Sequence, residues 1–229
     1  GESSLDNPQG FEDPQFAKIQ SAEVRVRIWP LVQKELEVGT ISLKGFELHL
    51  KRTAKGLTNW QDLLPDKSTG KEKTSKTDIK DKGGPGGLSA LAIGKLEILD
   101  ARLSMEDKML GKSLEVSDLN LELGPVLNAK PFDINLSFYF AGQDPDIKAD
   151  TTLSTRAELD LQNQSFAFDN LEISSQVEGR DIPGQEAEFE LKTDVLVQMQ
   201  DQVCRLQNLA LNTYGLEIKG KVKASSFSS

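Results

Sequence analysis

Residues 153–173 (LSTRAELDLQNQSFAFDNLEI) align without gaps on residues 191–211 (LKTDVLVQMQDQVCRLQNLAL), at an offset of 38. Leu153 falls on Leu191, Thr155 on Thr193, Leu159 on Val197, Phe168 on Leu206 and Asn170 on Asn208. Each copy is an alternating strand, a short polar turn (162–165 or 200–203) and a second alternating strand. A fixed period of this length marks a repeated supersecondary unit that buries its apolar side only beside its neighbours. The unit is a β-hairpin.

The second arm of the hairpin recurs upstream. KELEVGTISL (34–43) matches KSLEVSDLNL (112–121), which in turn matches QSFAFDNLEI (164–173). With the last copy this gives four apolar quartets: Leu36/Val38/Ile41/Leu43, Leu114/Val116/Leu119/Leu121, Phe166/Phe168/Leu171/Ile173 and Cys204/Leu206/Leu209/Leu211. The extra residue after the second member breaks strict period 2. A β-bulge there returns both halves to one face and bends the strand. Bends repeated at one height imply a curved sheet.

The other segments follow the same alternation. Val24, Val26 and Ile28 face one way and Glu23, Arg25 and Arg27 the other. Beyond the linker, strands are expected over 90–106, 112–123, 131–141, 146–161, 165–178, 186–200, 203–213 and 215–225, joined as an antiparallel meander. Short helical segments are expected at 13–20, at 30–34 behind Pro30, and at 59–64 behind a Thr58 or Asn59 cap. Lys44-Gly45 permits a tight turn or second bulge. Residues 65–87 carry a single apolar residue, Ile79, among Lys, Asp, Ser, Thr and Gly, and read as a flexible linker. The expected organisation is therefore a β module with short helices over 1–65, a linker over 66–87, and a repeated-hairpin module over 88–229.

Chemistry is sparse. His49 sits mid-strand with no second His or Cys nearby, so neither a metal site nor a nucleophilic triad assembles around it. No phosphate-binding glycine loop is present, and pairs such as Glu106-Asp107 or Asp144/Asp146 lie beside turns, where they read as solvated charges. Cys204 is alone and occupies an inward strand position, as a small hydrophobe. A net charge of −9 argues against nucleic acid and against broad adsorption to anionic membranes. No cofactor and no enzymatic activity are expected. The start, GESSLDNPQG, lacks Met, so the chain is expected to be a piece of a longer protein.

The strands are long, about 10–16 residues or ~33–53 Å at strand rise. They are apolar on one side and charged or amide-bearing on the other. Such a sheet must close, meet a second sheet or be covered by something else, and helices to cover it are absent. Aromatics are 6% of the chain, so the walls are aliphatic. The expected fold is mainly β: an elongated, curved antiparallel sheet folded over into an apolar groove.

Residues 7–64 resemble the AsmA family of Gram-negative envelope proteins. The resemblance is carried by Asn7, Pro8, Gly10 and Phe11, by Pro30-Leu31-Val32, by Ile41, Leu43 and Gly45, and by Leu50-Lys51-Arg52…Gly56…Asn59-Trp60…Asp62-Leu63. LEILDARLSMEDK (96–108), with an Asp100-Ala101 turn, is similar to the family's next strand. AsmA-like proteins, TamB among them, resemble the chorein-type bridge proteins, whose folded sheets carry phospholipid chains along an apolar groove. The resemblance implies envelope biogenesis, a periplasmic location, an inner-membrane anchor outside this sequence, and lipid or other envelope proteins as partners. It supplies no catalytic residues.

The expected groove lining is Val24, Val26, Ile28, Leu36, Val38, Leu48, Leu96, Ile98, Leu103, Leu114, Val116, Ile134, Leu136, Phe138, Leu159, Phe168, Val195, Val197 and Leu206, with Pro30, Gly56, Asn59 and Trp60 as family-motif positions. Two other readings stay open. One is a structural or protein-binding β module with a dry core, and the other a carbohydrate-active enzyme on a β scaffold.

Overall fold

The computed structural model describes residues 1–27, 37–61 and 93–226. They form eleven strands: β1 Ser3–Asp6, β2 Gln15–Arg27, β3 Glu37–Arg52, β4 Ile93–Asp107, β5 Lys112–Leu123, β6 Pro131–Gln143, β7 Ile147–Asp160, β8 Ser165–Gly179, β9 Glu186–Gln198, β10 Val203–Thr213 and β11 Leu216–Ser225. All belong to one sheet whose spatial order is the chain order. The sheet is curved and does not close, and β1 and β11 are its edges. Neighbours are antiparallel except β3 and β4, which run parallel from Val38↔Ile93 to Arg52↔Asp107. A parallel pair needs a crossover connection, here the segment between Arg52 and Ile93. The strands on either side of the expected 66–87 linker therefore share one sheet, while those linker residues lie outside the described ones. No helix among the described residues is long and apolar enough to cross a membrane.

The expected strands from 90 onward appear within a few residues of their predicted ends. The helix expected at 13–20 does not form, because β2 begins at Gln15. The helix-forming Ala, Lys and Gln of that segment are overridden by two ladders, Leu5↔Ala17 on one side and Ala17↔Leu48 on the other. β1 was hidden among turn residues. The helix expected at 30–34 lies outside the described residues; of 59–64, only 59–61 are described, with a turn at Asn59 and Trp60 and 3-10 helical geometry at Gln61. Asp100-Ala101 is a bulge inside β4 rather than a turn.

Bulges occur where the quartets predicted them. Register shifts fall at Ser117/Asn120, Phe168/Leu171 and Leu206/Leu209, and on β3 opposite Arg25/Val26. Asp118, Asn170 and Asn208 carry the extra residue at φ of 50°, 50° and 53°, a left-handed conformation that Asp and Asn tolerate best among non-glycine residues. Gly45 has φ 58°, and a Cβ there would meet the Cβ of Gln20 at 2.8 Å, so the position requires glycine. The bends lie at two heights rather than one. β5 runs opposite to β3, β8 and β10, so its bulge falls nearer the β6–β7 turn and theirs nearer the β7–β8 turn. Phe168 and Leu206 both pair with Val195 and share a face, so the 38-residue repeat is structural.

Each repeat copy secures its bulge in the same way. The Thr155 hydroxyl donates to the Asp169 carbonyl at 3.0 Å, and the Thr193 hydroxyl to the Gln207 carbonyl at 2.9 Å. Both threonines are buried. Between the two bulges lies Asp194, which accepts the Asn170 backbone N–H at 2.8 Å and the Asn208 side-chain amide at 2.6 Å. These hydrogen bonds hold its carboxyl below the usual aspartate range.

Thr155→Val or Thr193→Val strands a bulge carbonyl, and each should cost about 1–3 kcal/mol in urea unfolding. Serine at either site should retain most of that stability. Asp194 has a lowered folded pKa, so its contribution is present above the unfolded aspartate value (about 3.9) and is lost as pH falls through the folded one. Urea midpoints measured from pH 5 to pH 2 should fall more steeply for wild type than for Asp194→Asn.

Candidate functional site

Strand pairing places the apolar residues on one face in continuous rows. The central row runs Ala22–Leu43–Ile98–Leu121–Leu136–Leu153–Ile173–Leu191–Leu211–Ile218, each residue paired directly with the next across β2 to β11. A second row, nearer the β6–β7 turn, runs Leu5–Ala17–Leu48–Leu103–Val116–Phe140–Ala149–Val177–Ala187. Nearer the β7–β8 turn lie Phe132–Ala157–Phe168–Val195–Leu206–Val222 and Leu159–Phe166–Val197–Cys204–Ala224. β6 has an unbroken ladder with β7, so its alternation shows that all these rows share one face.

No described strand lies outside this one sheet, so none covers the face. Among the described residues only four hydrophobic side chains are buried, Phe16, Ala101, Phe132 and Ala157, and no large one is fully so. An ordinary domain packs its apolar side against a second layer. Here that side is half-exposed along most of its rows, at Leu153, Ile173 and Leu191 for example.

Every described residue of the expected lining falls on this face: Leu48, Leu96, Ile98, Leu103, Leu114, Val116, Ile134, Leu136, Phe138, Leu159, Phe168, Val195, Val197 and Leu206. Val24 joins them through Ile41 but is 62% exposed at the rim. Ile28, Leu36 and Pro30 lie outside the described residues, and Val26 and Val38 are placed by their backbone pairing alone. Sequence reasoning passed over most of the central row. Its signal was available: Leu43, Leu121, Ile173 and Leu211 are the fourth members of the four quartets.

The opposite face is polar. Its central row is Glu23–Ser42–Glu97–Glu122–Asn135–Ser154–Glu172–Lys192. Cross-strand pairs run along it, among them Lys192–Glu172 at 3.1 Å and Lys95–Glu122 at 3.7 Å. A shallow depression of about 390 Å³ lies between that row and Asn120, Ser137, Thr152, Ser174 and Glu190. The carboxyls with a resolved shift, such as Asp13 held down by Lys51 and Asp160 by the Asn163 N–H, are all lowered. His49 also faces this side and bonds Ser104 Oγ at 2.7 Å. Among the described residues no group of three His, Cys, Asp or Glu could hold a metal.

The family-motif residues meet at one corner. Gly56, at φ 84°, turns the chain after β3 so that Asn59 folds back onto it. The buried Asn59 accepts from the Lys51 N–H at 2.8 Å and donates to the His49 carbonyl and to Asn7 Oδ1, both at 2.7 Å. Asn7 in turn donates to the Asp13 and Gln15 carbonyls at 2.7 and 2.9 Å. Lys51 Nζ reaches Asp13 Oδ2 at 2.9 Å. Trp60 is half-buried beside them. The Asn-Pro phrase at residue 7 and the Gly…Asn-Trp phrase at residue 56, 49 residues apart in sequence, are thus one hydrogen-bonded clasp.

The AsmA family model matches residues 1–225, nearly the whole chain. The chain belongs to the AsmA family. AsmA proteins are associated with the cell envelope. No curated protein and no solved structure matches the chain.

Asn59→Ala removes three hydrogen bonds from a buried position and should cost about 2–4 kcal/mol. Thermal unfolding checks it, with Lys55→Ala in the exposed turn as an unaffected control.

Proposed function

We propose that the apolar face is the inner wall of a lipid-accommodating trough, and that the chain is the periplasmic part of an inner-membrane-anchored protein of outer-membrane biogenesis. The single observation carrying this reading is the central row of ten apolar residues, crossing ten strands with no charge in it and, among the described residues, no second layer over it. A phospholipid chain gains about 0.8 kcal/mol for each CH₂ removed from water. An apolar wall needs no specific contact to collect that energy, whereas the polar outer face stays hydrated. Family membership supports the envelope setting. The protein acts as a carrier or conduit and performs no covalent chemistry.

A photoreactive residue at Val197 or Leu191 should crosslink phospholipid in cells, and one at Glu172 on the outer face should not. Val197→Asp places an uncompensated charge in the path and should abolish complementation while circular dichroism shows the sheet intact. If the folded, functional protein labels no lipid from the apolar face, the face instead binds protein.

A further inference from the structure

A pair of hydroxyls makes a polar notch in the apolar face. Between the central row and its neighbour nearer the β6–β7 turn, the ladder runs Phe138–Thr151–Ser175–Phe189. The Thr151 and Ser175 hydroxyls stand 2.9 Å apart, both half-buried, with a phenylalanine as the next residue on either side. Thr155 and Thr193, the buried threonines of the same face, donate their hydroxyls to bulge carbonyls. The notch pair has no such duty. Two hydroxyls carry two protons, and their mutual bond uses one. Among the described residues the other proton has no side-chain or backbone acceptor, and the oxygens keep free lone pairs.

Hydrocarbon lying over this point would strip water from a donor and return nothing for it. A phosphate would need cations, and the flanking positions offer none: the charged neighbours Asp150 and Glu188 are anionic, and they alternate onto the opposite face. The complement of a neutral donor set among apolar walls is a neutral acceptor. In an acyl lipid that acceptor is the ester carbonyl. Resting on the trough reading above, we propose that Thr151 and Ser175 dock the ester of an acyl lipid and so fix where its chain begins.

Length favours one direction. Along β7 the face continues from Thr151 through Leu153 and Ala157 to Leu159, eight residues or about 27 Å at strand rise. One leaflet's share of a ~30 Å hydrocarbon core is about 15 Å. In the other direction only Ala149 and Ile147 remain before the turn, about 13 Å. The chain therefore lies from the notch toward Leu159.

The test uses the whole chain and two probes, a diacyl phosphatidylethanolamine and its dialkyl ether analogue, which lacks the carbonyls. Wild type should prefer the ester lipid by roughly three- to tenfold, the worth of one hydrogen bond. The double variant Thr151→Val with Ser175→Ala should bring the ester-to-ether ratio to about one, and Thr151→Ser should preserve it. Equal affinity for both lipids in wild type, or an unchanged preference in the double variant, would overturn the assignment. Failure of the folded wild type to bind either lipid would overturn the trough reading as well. A second measurement needs no variant. A diazirine beside the ester carbonyl should label the neighbourhood of Phe138 and Phe189, and one at the chain terminus that of Leu159 and Val197. Identical labelling by the two probes would also overturn the docking.

Discussion

Register governs this molecule. A β-strand shows alternate residues to opposite faces, so a slip of one residue moves every leucine of a strand to the polar side. Ten strands in succession keep the central row aligned. Several of them contain an extra residue, which alone would reverse the parity beyond it. The bulges absorb that residue, with Asp118, Asn170 and Asn208 taking the left-handed conformation. Asp194 binds the bulges of β8 and β10 from the strand between them. The apolar face is continuous because the irregularities are fixed.

The energetic consequence is unusual. Most domains draw their stability from burying apolar area between layers, at roughly 25 cal/mol per Å². Among the described residues the apolar side chains pack against their row and strand neighbours, and large fully buried side chains are absent. Stability then rests on backbone ladders, cross-strand pairs and local clasps such as Asn7–Asn59. β11, exposed along its whole length, carries Lys219, Lys221 and Lys223, the kind of charge that discourages edge-to-edge association.

Much of this was legible in the sequence, for reasons that can be named. Long period-2 strands announce themselves, and the gapless match of 153–173 on 191–211 located both hairpins and their bulges. What alternation cannot supply is pairing between unlike strands. Ile98 and Leu136 were recognisable as inward, but that they stand in one line with Leu43 and Leu211 follows only from the ladders. The parallel β3–β4 pair was invisible because a long polar connection carries no imprint of where its far end docks. At 13–20, composition favoured helix, and the partners on both sides of β2 decided otherwise. The Thr151–Ser175 notch was missed because serine and threonine on a strand read as ordinary sheet residues.

The agreement between chain order and strand order bears on how such a protein is made. Each described strand pairs only with the strands before and after it in sequence, and the parallel junction of β3 with β4 joins ends far apart in the chain, at an entropic cost. From β4 onward a hairpin can form as soon as its second arm leaves the ribosome, and it then offers a finished edge to the next arm. Assembly of this kind is a linear polymerisation within one chain, governed by nearest-neighbour terms. Strands added at the far end extend the surface without disturbing what is already folded, so the length of the apolar path is set by how many hairpins the gene encodes.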